Sequence, residues 1–255
     1  MSFPKRLFLP TAGDCDLSVA MPHRFYCPQL VESGSVLLVE TEAHHVAHVL
    51  RHEVGDVVEL FNGHGLVATC RISAIRKRDV ELEVLDFRRE QQPQTVLTLA
   101  TAVPKGDRLD WLIEKTTELG VSRIIPIITA RSIVDPRASK LDKLRQTVIT
   151  ACKQSGRNHL MEITAVTSWN DLLRGFSSDQ RVLIAHPGKN EAVGTPTTSS
   201  PDIRPVVAVI GPEGGFNDEE VQSALAAGAE AIQLGPHILR IETAAIALAA
   251  KLLLS

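Results

Sequence analysis

Along its first 90 residues the chain alternates apolar and polar positions in short runs broken by turn residues, which predicts β-structure. Strands are expected at Ser35–Glu40, Val57–Phe61, Leu66–Ile75 and Val80–Phe87, the last alternating Val80, Leu82 and Val84. Asn62-Gly63-His64-Gly65 supplies a turn, and Ala43 to Arg51 fits one short helix with Val46, Val49 and Leu50 on one side. Short strands so closely joined predict a small barrel. Arg88–Thr95 is polar and contains a proline, and marks the boundary between a domain over 1–90 and one over 95–255.

Beyond it the period changes to strand–helix alternation, which predicts a parallel sheet. Strands are expected at Val96–Val103, Arg123–Ile128, Arg181–Ala185, Val206–Ile210 and Ala231–Leu234. The intervening helices run from a cap at Asp107 to Leu119 with Gly120 ending it, over Leu141–Gln154, and from an Asn217/Glu220 capping pair to Ala227. The Gly-, Ser-, Thr- and Pro-rich stretch Gly188–Pro205 predicts an exposed, mobile loop. The last helix, Ile241–Leu254, is apolar nearly all round, so a second surface must cover it, and a homodimer would supply one.

Composition removes several classes. The longest apolar runs fall far short of the ~20 residues of a membrane span, and Met1 to Leu9 is too short for a secretory leader; the expectation is a cytoplasmic protein. Cys15, Cys27, Cys70 and Cys152 form no CxxC pair, which favours reduced thiols over disulfides or metal. The 27 Lys/Arg against 30 Asp/Glu leave a formal net charge of −3, so no basic face is implied by charge alone. Arg71, Arg76-Lys77-Arg78 and Arg88-Arg89 are local basic clusters, each equally well read as a solvated edge or hairpin. His44, His48 and His52 recur every fourth residue, but surface histidines are expected there rather than a metal site.

The chemistry concentrates near the C-terminus. Ile210-Gly-Pro-Glu-Gly-Gly-Phe216-Asn217 follows a strand and opens an acidic helix start, the arrangement that builds a ligand crevice in parallel sheets. A phosphate-cradling loop relies on bare backbone N–H groups, and Glu213 opposes that use. The Lys-Ser/Thr ending of a P-loop is missing too, so a ligand without phosphate is expected.

With Leu234-Gly-Pro-His-Ile-Leu-Arg240-Ile-Glu242-Thr243-Ala244, this loop resembles the ribosomal RNA small subunit methyltransferase E (RsmE) family of the SPOUT class. Lys105-Gly-Asp-Arg-Leu-Asp-Trp111, Glu114-Lys115, Glu118-Leu-Gly-Val121 and Gln154-Ser155-Gly156-Arg157-Asn158 are similar to that family's catalytic-domain motifs. Arg24-Phe25, His45, Val49-Leu50-Arg51 and Gly55-Asp56 are similar to its RNA-binding barrel. The resemblance spans residues 21 to 250; residues 1–20 are an extension without counterpart, and His237, Ile241, Lys153 and Met161 depart from the family's usual residues.

The resemblance implies an α/β fold with a SPOUT-type trefoil-knotted parallel sheet and helices, preceded by a small PUA-like β-barrel. It implies N3-methylation of one uridine in the decoding region of 16S rRNA, with S-adenosyl-L-methionine as cofactor and the rRNA or small ribosomal subunit as partner. A homodimer through the knot and last helix follows. The cofactor would lie among Ala185, His186, Gly211, Gly215, Leu234, Gly235, Ile238 and Leu239. Arg240 would stabilise the base and Glu242 accept its proton; Arg24, Arg51, Arg157 and Asn158 would meet RNA. Another SPOUT enzyme acting on tRNA or a ribose 2′-hydroxyl, a non-catalytic ribosome-assembly factor, and a nucleotide-binding enzyme remain as alternatives.

Overall fold

The computed structural model describes residues 23–93, 95–133, 138–186 and 204–254. The extension at 1–20, Cys15, Met21-Pro22 and most of the Gly188–Pro205 loop lie outside the described residues. Two sheets carry the architecture.

The first sheet contains β1 (Arg24–Tyr26), β2 (Ser35–Val39), β3 (Val57–Phe61), β4 (Leu66–Ile75) and β5 (Asp79–Arg89) in the order β1-β3-β4-β5-β2. Only β1 and β3 run parallel. Register shifts at Thr69/Cys70 and Ile72/Ala74 interrupt the β4–β5 ladder, where extra residues bend and twist a strand. Among the described residues no ladder joins β1 to β2. Phe25, Leu38, Val58, Leu60, Ile72 and Leu82 form its core. The helix α1 (Glu40–His44) begins three residues before the expected one and continues as a π-helical turn, His45–Val49. It buries Val46, but Val49 is exposed, contrary to the expected shared face, because five-residue hydrogen-bond spacing rotates later side chains off the α-helical stripe.

The second sheet is wholly parallel, ordered β12-β10-β11-β6-β7-β8. Its strands are β6 (Leu97–Ala102), β7 (Arg123–Ile128), β8 (Glu162–Ile163), β10 (Arg181–Ala185), β11 (Val206–Ile210) and β12 (Glu230–Ile232), with β9 (Thr167–Ser168) also on β7. β6 and β11 are buried at every position, as strands covered on both faces must be. The helices are α2 (Arg108–Leu119), α3 (Ala138–Ser155), α4 (Trp169–Arg174), α5 (Asp218–Ala226) and α6 (Ile241–Leu253). Gly120 ends α2 at φ +98°, and Asn217 and Glu220 form a complete capping box on α5. Asp107 takes the N-cap position of α2 without a side-chain capping bond, its backbone being already helical rather than extended. Met161 fills the core beneath α2, where the hydroxyls of Thr116 and Thr117 donate to its sulfur at 3.7 and 3.9 Å. α6 packs on α2, β6 and β11 yet leaves Thr243, Ala247, Lys251 and Leu254 exposed. Among the described residues no helix is long and apolar enough to cross a membrane.

A candidate cofactor cleft and the interface behind it

The ends of β10, β11 and β12 open into one cleft, at the edge that parallel sheets use for ligands. Its walls are Ala185 and His186 after β10, the loop Gly211–Phe216 after β11, and Gln233–Leu239 after β12, with Ile241 and Ala244 of α6 at the base. All eight residues expected around the cofactor line it. The strand β12 stops at Ile232, so Gln233 and Leu234 belong to the cleft loop and not to the expected strand.

Local chemistry explains the loop. Gly215 has φ +68° and its N–H donates to Pro212 O at 2.8 Å, closing a tight turn. A Cβ at Gly211 would stand 2.9 Å from the Phe216 ring, so this glycine admits the protein's own aromatic ring beneath the loop. Gly235 lies at φ +141°, and Cβ atoms built on Gly215 and Gly235 would meet no protein atom within 4 Å. Those two glycines are required by backbone conformation and border open space. Arg131 donates to Gly214 O at 2.8 Å, and Glu220 accepts from Ala130 N–H at 2.7 Å, so the end of β7 braces the loop from outside. Sequence reasoning singled out neither Phe216 as the loop's floor nor Arg131 as its brace.

The expected catalytic pair separates. Arg240 occupies the N-cap position of α6 between two cleft-lining residues; its carbonyl accepts from Ala244 N–H at 2.9 Å, while its exposed side chain makes no hydrogen bond or ion pair among the described residues. Glu242 points away. It is 5% exposed, lies outside the cleft lining, and has Oε1 at 3.6 Å from Arg108 Nη1. Its Oε2 is buried without a hydrogen-bond partner. Arg108 Nη2 also donates to Glu213 Oε1 at 3.3 Å. Arg108 was quoted only within a motif, and nothing local foretold that it joins the two carboxylates.

The residues expected at RNA also separate. Arg51 is exposed, at φ +55°. Arg24 is instead buried between the sheets. Its Nη1 donates to Cys152 O at 3.1 Å, Nη2 donates to Asn158 Oδ1, and Nε sits 2.6 Å from Glu59 Oε1 without hydrogen-bond alignment. Asn158 is buried too and donates to Glu90. Arg157 donates to Thr117 O at 2.9 Å, and burial pulls its guanidinium below its ordinary pKa against the nearby Cys152 and Glu90. The turn at Gly63–Gly65 completes this interface, with Gly65 N–H donating to Asn158 O and Leu160 N–H to Gly63 O. A Cβ on Gly65 would lie 2.4 Å from Glu90 O. Arg24 and Asn158 therefore join the two sheets from buried positions, and the half-buried Arg157 ties the same segment to α2.

The other polar clusters pair locally. Arg71, Arg76, Arg88 and Arg89 bridge to Glu83, to Asp79 and Glu81, to Glu59 and to Glu32 respectively. Lys153 bridges Glu42 at 3.0 Å and lies over the Phe25 ring, tying α3 to α1. His52 bonds His23 and Asp56 while His44 packs on His48; among the described residues no group of three ligands is arranged for a metal. Cys27, Cys70 and Cys152 are buried free thiols, and burial pushes Cys70 up to about 12 and Cys152 to about 11.

Comparison with known proteins matches this geometry. Residues 90–253 match the family model for an RNA methyltransferase domain, and residues 40–85 that for an RNA methyltransferase PUA domain. The ribosomal RNA small subunit methyltransferase E of Bacillus subtilis is 32% identical over 226 residues, covering 85% of this chain and 88% of that one. Its counterpart in Rickettsia conorii is 31% identical over 220 residues, covering 86% and 89%. The crystal structure of the Neisseria gonorrhoeae enzyme bound to S-adenosyl methionine superposes with a TM-score of 0.81 at 34% identity, covering 91% of this chain and 96% of that one.

Proposed function

This chain belongs to the ribosomal RNA small subunit methyltransferase E family, and on that premise we propose that it methylates N3 of a uridine in 16S rRNA, in the decoding region, using S-adenosylmethionine. The carrying observation is the cleft itself: three strand ends, an apolar lining and a carboxylate-bearing glycine turn. The residues fit this cofactor. Leu234, Ile238 and Leu239 supply apolar surface and backbone amides suited to an adenine, and the buried, unpartnered Nδ1 of His186 suits a polar ligand atom. Glu213 suits a ligand carrying positive charge and no phosphate.

When bound, S-adenosylmethionine supplies a methyl group already activated on a sulfonium. The chain's own task is alignment and charge. Well-oriented reactants are worth up to about 7–11 kcal/mol. Arg240, unpaired at the rim, donates to a carbonyl oxygen of the uracil, where negative charge develops as N3 loses its proton. Glu242 lies behind the wall, so the N3 proton passes to water.

Residues 1–90 act as the RNA-binding unit, with Arg51 on its face, and 95–255 as the methyltransferase unit, as the two family matches support. The knot expected of the family would bring the β10, β11 and β12 loops together, and the exposed face of α6 supports a homodimer. An rRNA substrate supports a cytoplasmic site of action.

Mass spectrometry of 16S rRNA from cells lacking this protein is expected to show loss of one N3-methyluridine, restored by the gene in trans. An unaltered modification pattern would overturn the substrate assignment.

A further inference from the structure

Two elements of the cleft wall, the glycine loop and α6, meet α2 at one side chain outside the cleft lining. Arg108, in the first turn of α2, reaches Glu213 of the glycine loop at 3.3 Å and Glu242 of α6 at 3.6 Å. Its Nε also donates to Lys105 O at 3.3 Å, which fixes the guanidinium's own approach. We propose that Arg108 is a positioning residue for the methyl-transfer site, holding the Glu213 turn against the first turn of α6 so that the two walls of the cofactor cleft keep their spacing. The inference rests on the reading of the cleft given above and adds a residue that touches no reacting atom.

Each end of the bridge has a reason to need it. Glu242 is a buried carboxylate with Oε2 unpartnered, and Arg108 is the cation recorded against it. A carboxylate left buried without a counter-charge is strongly unfavourable. Glu213, by contrast, is a third exposed and lines the cleft, so its position sets the shape of the ligand-facing turn. Arg131 already fixes that turn's backbone at Gly214 from the β7 side. Arg108 fixes it from the opposite element through a side chain. A planar guanidinium can address two carboxylates at once, which an ammonium on a flexible stem does less well.

The test uses the full-length protein with calorimetric S-adenosylmethionine binding, steady-state methylation of small-subunit rRNA, and thermal melting. Arg108→Ala is expected to weaken cofactor affinity at least tenfold and to raise the cofactor KM equally, with kcat at saturating cofactor within about threefold of wild type. Glu213→Gln should weaken affinity by a similar factor, and the double variant should be no worse than the poorer single one. Arg108→Lys should recover part of the loss. Should Arg108→Ala melt too early to assay, Arg108→Ala with Glu242→Gln removes the orphaned carboxylate and is expected to regain melting temperature but not cofactor affinity. Unchanged affinity in these variants beside a lowered melting temperature would reduce Arg108 to a structural ion pair and overturn the inference. So would a collapse of kcat with KM unmoved, which would make it a catalytic residue. Failure of the unsubstituted protein to bind cofactor would sink the reading of the cleft first, and the inference with it.

Discussion

Two polar, glycine-containing segments stand out in the sequence, Gly211–Phe216 and Gln154–Asn158, and the fold puts them to opposite uses. The first buries Phe216 as its floor but presents Gly215, at φ +68°, to open space, in a cleft where His186 Nδ1 and the Arg240 guanidinium lack protein partners. The second closes at its end: Asn158 bonds Arg24 and Glu90, Arg157 bonds Thr117 O, and the Gly63–Gly65 turn pairs with Asn158 and Leu160, although Gln154 and Ser155 stay exposed. Both carry residue types common at RNA and ligand sites. Partner satisfaction distinguishes them, since buried polar groups with every donor engaged hold a structure together and those left open are available to a ligand.

That contrast makes crossed predictions. Interface variants should lower stability at constant cofactor affinity, and cleft variants the reverse. Arg24→Ala has the largest expected effect: it removes the buried cation from Asn158 and leaves Glu59 to Arg88 alone, and should lower unfolding free energy by about 3–5 kcal/mol in urea titration. A cofactor affinity that fell in step would blur the distinction between the two regions. Arg240→Ala should reduce kcat by about 100-fold or more, the usual consequence of removing a donor from developing negative charge. Its melting temperature and cofactor affinity should stay near wild type; equal loss of binding would give Arg240 to the cofactor instead of the base.

Gly215→Val is expected to weaken cofactor binding roughly tenfold, because a β-branched residue at φ +68° costs about 1–2 kcal/mol. The cause is backbone strain and not crowding, so Gly215→Ala should be milder and Gly215→Asn milder still. The smallest effect is a pH dependence at the α1–α3 contact. Burial first, then the Lys153 ammonium, lowers the His45 pKa from the ordinary imidazole value of 6.5. The unfolded chain therefore takes up this proton at higher pH than the folded one. The contribution of neutral His45 to stability is complete above pH 6.5 and is lost as the pH falls through the lowered value. His45→Gln should flatten the acid side of the stability profile by urea titration; an unchanged slope would remove His45 from that account.

Local signals were read well wherever a few neighbouring residues suffice. The capping box at Asn217 and Glu220, the left-handed stop at Gly120 and the buried strand before Gly211 are each set by sterics or hydrogen bonds within about one turn of chain. The cleft lining followed from the same logic, because loops at the carboxyl ends of adjacent parallel strands must converge. Elements too short to show a period escaped notice: β1, β8, β9 and α4 exist because long neighbours accept them, not because their own residues insist. Which charges would end up paired was likewise invisible. Arg108 meets Glu213 across 105 positions and Arg131 meets Gly214 across 83. Arg24 meets Asn158 across 134. A guanidinium carries no mark of its eventual partner, and only the packing of α2, α3 and the two sheets brought each one to a carboxylate, a carbonyl or open water.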